Sequence, residues 1–184
     1  MKFGLVGKNG SGKSTVCEYL AGQGFSVYSL SDCVRMEARK RGLSEDRDQL
    51  TDLANDLKKE HGTAFFAEYM MAEALRQAAS TDGLMVFDSI RHGDECRYLM
   101  AQGVRLIGVT CALEKRFERI QARQKETDMV DFETFKVQDQ REASGASFGQ
   151  AIDHCLELCE FMIHNDHELD DLTQTIDEVL NNVA

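Results

Sequence analysis

Gly7-Lys8-Asn9-Gly10-Ser11-Gly12-Lys13-Ser14 is the stretch of this chain on which its fold turns. It fits the pattern G-x-x-x-x-G-K-[ST], in which glycines let the backbone curl until successive N–H groups point inward around phosphate oxygens. Average residue usage would produce such an octet by chance in about one sequence per hundred of this length. Its surroundings add to the case. An apolar run from Lys2 to Val6 precedes the octet as a strand candidate, and a helix is expected behind it with Val16, Leu20 and Ala21 on the inner face. On this reading Gly7, Asn9, Gly10, Ser11 and Gly12 wrap a triphosphate, Lys13 reaches its β and γ phosphates, Ser14 offers a hydroxyl to Mg²⁺, and Thr15 contacts the α-phosphate. The plainer alternative, a glycine-rich turn carrying a surface lysine, leaves the strand and the helix unexplained. The dinucleotide fingerprint G-x-G-x-x-G does not occur.

Outward from the loop, apolar runs at Phe25 to Leu30, Leu84 to Asp88, Val104 to Thr110 and Phe161 to His164 alternate with amphipathic segments, the pattern of a parallel sheet covered on its faces. Leu50, Leu53, Ala54 and Leu57 recur at helical spacing after Ser44, the expected N-cap, and Gly62 ends that helix. Phe65, Phe66, Tyr69, Met70 and Leu75 supply the apolar side of the next. Further helices are expected over about Ala112 to Arg123, Ser147 to Cys159 and Glu168 to Leu180.

Composition narrows the function classes. With 184 residues, 42% hydrophobic and 29% charged, the chain reads as one domain spanning 1–184, with no linker or repeat. A net charge of −11 excludes the broad cationic surface that binding to DNA or RNA requires, while leaving room for a few cations gathered around a small phosphate ligand. No signal peptide and no long apolar run is seen, so the expected setting is cytoplasmic, away from the membrane. The six cysteines contain no C-x-x-C pair and read as reduced thiols, mostly in the core. His154, Cys155, Cys159, His164 and His167 match no common structural zinc spacing, and the acidic runs Asp128 to Glu133 and Asp166 to Asp171 read as solvated faces or caps.

Asp88 ends a buried-type strand, the placement P-loop enzymes use to hold a water on Mg²⁺, and Arg91 follows at the edge where open α/β sheets bind ligands. Ser29-Leu30-Ser31-Asp32-Cys33-Val34-Arg35 repeats that logic after the second strand, although Ser31 or Asp32 also suits a helix cap and Arg35 a solvated first turn. Arg116, Arg119 and Arg123 can share one helix face, either at the site or as a surface salt-bridge face.

Together, the octet, Ser-Asp-Cys-Val-Arg, Phe-Asp-Ser-Ile-Arg, Glu-Arg-Ile-Gln-Ala-Arg and Ile163-His164-Asn165-Asp166 resemble the P-loop nucleotide kinases of the adenylate kinase and dephospho-CoA kinase type, over nearly the whole chain. They also resemble small kinase-like P-loop proteins, some fused to deoxycytidylate deaminases. The resemblance implies a three-layer α/β sandwich of the P-loop NTPase type, its five parallel strands in the order 2-3-1-4-5. It implies a helical acceptor lobe over about 33–80, containing a helical pair from about Asp46 to Ala79, and a short lid over about 125–141. It implies ATP and Mg²⁺ as cofactors, Lys13, Arg123 and Asp32 as catalytic residues, Arg119 against the adenine base, and Ser14 and Asp88 toward the metal. Asp32, Arg35 and Arg91 would meet the acceptor, a small nucleotide-like molecule: a nucleoside or deoxynucleoside monophosphate, or dephospho-CoA. Two departures stand out: Ile90 precedes Arg91 where adenylate kinases have proline, and no four-cysteine cluster lies between Arg123 and Arg141. The alternative function is a nucleotide-dependent switch or slow NTPase working through a protein partner, although D-x-x-G and N-K-x-D are both absent.

Overall fold

Period-two alternation along the apolar runs builds the sheet. In the computed structural model, which describes residues 1–77, 83–123, 130–144, 151–166 and 169–183, Phe3 and Leu5 of β1 (Lys2–Val6) face one side of the sheet and Val6 the other. Met85 and Phe87 of β3 (Met85–Ile90) oppose Val86 in the same way, and Leu106 of β4 (Arg105–Thr110) opposes Ile107 and Val109. With β2 (Ser26–Ser29) and β5 (Phe161–His164) these strands form a five-stranded sheet in the order β2-β3-β1-β4-β5, every pairing parallel. Parallel strands need crossover connections, and helices supply them. The α/β sandwich and the strand order that the family resemblance implies are therefore present.

One face carries α1 (Lys13–Gly22) and α9 (Leu169–Val183), which close a core around Val16, Leu20, Ile107 and Ile176. The other carries α2 (Leu30–Arg41), α3 (Arg47–His61), α4 (Phe65–Gln77), α5 (Gly93–Ala101) and α8 (Ile152–Glu157), around Leu30, Leu57, Met71, Phe87 and Leu99. Two more helices, α6 (Leu113–Ala122) and α7 (Phe132–Ser144), sit beyond the carboxyl end of β4. Among the described residues no helix is long and apolar enough to cross a membrane.

Local expectations need several corrections. On α1 it is Cys17, not Ala21, that joins Val16 and Leu20 inside. The N-cap of α3 is Asp46 and not Ser44, because the Asp46 carboxylate accepts the Gln49 N–H at 2.9 Å while the Ser44 hydroxyl takes the Asp46 N–H. Leu75 is 52% exposed, and Met71 and Ala74 fill the inner face of α4 instead. β2 is shorter than the apolar run and yields Leu30 to α2, whereas β3 extends through Ser89 and Ile90 beyond Asp88. α5 was not singled out from the sequence. The expected helix over Ser147 to Cys159 appears as α8, with 145–150 outside the described residues; so too are His167, Glu168, 78–82 of the helical insertion and 124–129 of the lid segment.

Candidate functional site

The octet forms a loop between β1 and α1 in which every glycine is sterically required. A Cβ on Gly7 would collide with the Val109 carbonyl, and one on Gly10 would sit 2.7 Å from the Arg116 carbonyl. Gly12 has φ +102, a left-handed conformation that favours glycine, and a Cβ there would strike the Asn165 amide. Because Gly12 is also the N-cap of α1, no side chain caps the first helical turn, and that turn contains no acidic residue. Uncapped N–H groups at a helix N-terminus attract anions.

Lys13 folds back over this loop, its Nζ donating to the carbonyls of Gly7 at 2.6 Å and Lys8 at 3.0 Å. Ser14 is exposed at the first turn, Thr15 half-buried beside it, and Ser11 fully buried. One turn along, burial first and the Asp88 charge second push the Cys17 thiol up to about 12, with Lys13 opposing, so Asp88 and Lys13 both act on Cys17.

Asp88 stands near the end of β3, the strand beside β1. Its Oδ2 accepts a hydrogen bond from Ser89 at 3.3 Å, and its Oδ1 is buried. Among the described residues two buried side-chain polar atoms have no hydrogen-bond partner, Asp88 Oδ1 and Ser11 Oγ. Folded proteins pair nearly all such atoms, so one orphan inside the loop and one at the strand end beside it make this the candidate position for a ligand. A divalent cation suits the pair of oxygens offered here, the exposed Ser14 hydroxyl and the unpaired Asp88 carboxylate oxygen.

At Ser89 the backbone adopts φ +64, uncommon for a residue with a Cβ and costing roughly 1–2 kcal/mol. The cause is a bulge: Gly4 pairs with Phe87 but Val6 with Ile90, so β3 carries one residue more than β1 across that interval. Arg91 then leaves the sheet with its N–H held by Glu95 Oε2 at 2.8 Å and its carbonyl accepting from Ala151. Glu95 is almost wholly buried, and burial raises its pKa above the usual carboxylate range against the opposing pull of Lys58, the two N–H groups and Arg91. The same carboxylate oxygen takes the His92 N–H at 3.0 Å and completes a capping box with the His92 ring on α5. Beyond the neighbouring β2, Asp32 and Arg35 occupy the first turns of α2 and pair with each other at 3.2 Å. Arg35 and Arg91 thus leave adjacent strands at the same edge of the sheet.

The three arginines of α6 part company. Arg116 is buried, donating to the Cys111 and Asn9 carbonyls and, in a two-pronged ion pair, to both oxygens of Asp139 on α7 at 2.6 and 3.1 Å. It is not the surface residue that spacing alone permits. Arg119 reaches Cys111 Sγ and the carbonyl of Asn165, while Arg123 donates to Asn9 Oδ1 at 3.0 Å. Lys8 bridges Asp139 and Asp153, so the loop is tied to α7 and α8 as well. Asn165 follows β5 and crosses back to donate to the Ser11 carbonyl at 2.9 Å. Sequence reading had noted Asn165 without giving it a contact, and had missed Asp139 and Glu95. Asn165 and Asp139 meet partners far away in the chain that no short spacing reveals, whereas Glu95 bonds residues three and four positions before it, a capping-box spacing with histidine in place of the usual serine or threonine.

The sequence profile of the AAA domain family matches residues 4–141 of this chain. A UPF0200 protein of Methanosarcina mazei is 32% identical over 181 residues, spanning 97% of this chain and 92% of that protein. The chain belongs to the AAA domain family and to the UPF0200 proteins. A UPF0200/UPF0201 protein of Archaeoglobus fulgidus is 31% identical over 183 residues, and the chain spans only 55% of that longer relative. Solved structures similar to this UPF0200 protein include TT1252 from Thermus thermophilus at 20% identity and TM-score 0.63. They also include a shikimate kinase from Bacteroides thetaiotaomicron at 11% and 0.60, and a dephospho-CoA kinase from Campylobacter jejuni at 18% and 0.57. Each covers 100% of this chain and 98% of its own, and at such identities what is shared is the P-loop kinase fold.

Proposed function

We propose that this protein transfers the γ-phosphoryl group of ATP to a small nucleotide-like acceptor. Nucleoside and deoxynucleoside monophosphates are the first candidates and dephospho-CoA the second. What supports this above all is that Ser11 Oγ and Asp88 Oδ1, buried and without partners among the described residues, belong to the phosphate loop and to the strand end beside it.

On this reading the loop backbone and the N-terminus of α1 hold the triphosphate, and Lys13 leaves the Gly7 and Lys8 carbonyls for the β and γ phosphates. Ser14 and Asp88 hold Mg²⁺, which when bound neutralises charge on the phosphate oxygens. Arg123 stands beside Asn9 for the transferring group, and Arg119 beside Asn165 for the base. Arg35 and Arg91 clamp the acceptor from adjacent strand ends, and the lobe built on α2, α3 and α4 encloses it. Asp32 shapes that site, and acts as a base only for an acceptor that attacks through a hydroxyl. The rate enhancement comes from positioning and charge neutralisation, since phosphoryl transfer asks little covalent chemistry of the protein.

The deciding experiment incubates the protein with Mg·ATP and a panel of nucleoside monophosphates, deoxynucleotides, nucleosides, dephospho-CoA and shikimate, and measures ADP. Strong stimulation by one compound is expected. Slow hydrolysis indifferent to every compound would instead make this a nucleotide-dependent switch.

A further inference from the structure

Four hydrogen bonds run in series beneath the proposed acceptor and metal positions. Arg35 Nη1 donates to Ser31 Oγ at 3.1 Å, Ser31 and Ser29 share a bond at 2.9 Å, Ser29 Oγ donates to Ser89 Oγ at 3.0 Å, and Ser89 Oγ donates to Asp88 Oδ2 at 3.3 Å. A hydroxyl carries a single proton, so each bond fixes the next. Ser29 spends its proton on Ser89 and must accept from Ser31, and Ser31 must accept from Arg35. The chain therefore has one direction, from a guanidinium to a carboxylate, the arrangement in which successive bonds polarise one another.

Two further features show that the chain has first claim on these side chains. Ser29 is the N-cap of α2, a position where a serine hydroxyl ordinarily bonds to the first helical turn, yet here it makes no capping bond. Ser89 stands at φ +64, where glycine would be unstrained, so its hydroxyl must do something that glycine cannot.

We propose that Ser89 is a positioning residue that fixes one oxygen of Asp88, leaves the other for the cation, and couples that carboxylate through Ser29 and Ser31 to Arg35. This rests on the kinase reading for the roles of Asp88 and Arg35, but the relay itself is tested without turnover. The variants are Ser29→Ala, Ser89→Gly and the two combined. Ser89→Gly removes the hydroxyl at a backbone position glycine accepts, and Ser29→Ala breaks the chain at its middle without loss of a helix cap, so both should fold, with Tm within about 4 °C of wild type.

Binding of a fluorescent ADP analogue is followed while Mg²⁺ is titrated. Loss of a group that orients a metal-holding carboxylate should raise the half-saturating Mg²⁺ about 10-fold in Ser89→Gly, with nucleotide affinity in EDTA unchanged. Ser29→Ala should move it in the same direction, and the double variant should be no worse than Ser89→Gly alone, because a chain cut once gains nothing from a second cut. An unchanged Mg²⁺ response in folded Ser89→Gly overturns the proposal, as do independent effects that multiply in the double variant. A wild-type protein that responds to Mg²⁺ but phosphorylates nothing defeats the kinase reading while leaving the relay intact.

Discussion

Lys13 rests on two carbonyls of its own loop, contacts that a triphosphate would replace. Lys13→Ala should therefore lower ATP turnover by at least about 100-fold while the thermal unfolding curve barely moves. Retained turnover in a folded variant removes the central claim. Arg35 and Arg91 answer a different question. Loss of either charge-assisted contact should cost about 1.5–3 kcal/mol, or about 10- to 150-fold in kcat/KM for the acceptor, with ATP affinity nearly constant. If both constants fall together in Arg35→Ala and Arg91→Ala, the clamp is misplaced. At this scale the sequence was legible where function needs a fixed spacing: glycines, lysine and serine must follow one another for the loop to close. It was illegible for Arg116, whose three- and four-residue spacing to Arg119 and Arg123 suited a solvated face equally well. Only the fold shows Asp139 waiting 23 residues away to take both prongs of its guanidinium.

α6 and α7 are joined by that buried pair, and its energetics are lopsided. Charges removed from water recover little when paired, but a charge left alone there is costly. Asp139→Ala, which strands the Arg116 guanidinium, should destabilise the protein by about 3 kcal/mol or more in urea unfolding. Replacing both residues with leucine or methionine should recover most of the loss; equal damage from the double replacement would mean that the pair gives more than mutual compensation. α5 is fastened differently, through the His92 ring, whose Nδ1 accepts the Asp94 N–H. Burial holds the His92 pKa below its ordinary value of 6.5, opposed by Asp94 and reinforced by Lys58, Arg97 and His154. The folded protein thus binds this proton less readily than the unfolded chain, so the contribution is full above about pH 6.5 and is lost as pH falls through the lower folded value. Between pH 7 and 5.5 the wild type should lose stability more steeply than His92→Asn, which retains a capping side chain without a titrating ring; parallel curves would remove His92 from the account. Element boundaries were read less well than element types. β2 is the instructive case, since Phe25 to Leu30 is one apolar run, but Leu30, buried in the same core as Tyr28, belongs to α2. Burial is visible in a sequence, and the element that provides it is not.

Across the whole molecule, the sheet divides the core in two. α1 shares its apolar contacts with α9 on one face, and the helices α2, α3 and α4 share theirs with α5 and α8 on the other. Short apolar runs alternating with amphipathic segments made the two-sided sheet readable in advance. The helical insertion was readable too, as a length of chain with no strand in it. How the phosphate loop is strapped to α6, α7 and α8 was not, because those ties are single side chains crossing from distant positions. Because α1 and the insertion draw on separate reservoirs of buried apolar surface, repacking of one core need not propagate to the other. On the kinase reading, a lineage could remodel the apolar helices around the acceptor, trading one substrate for another, and keep its grip on the donor so long as the serine link from Arg35 to Asp88 is left in place.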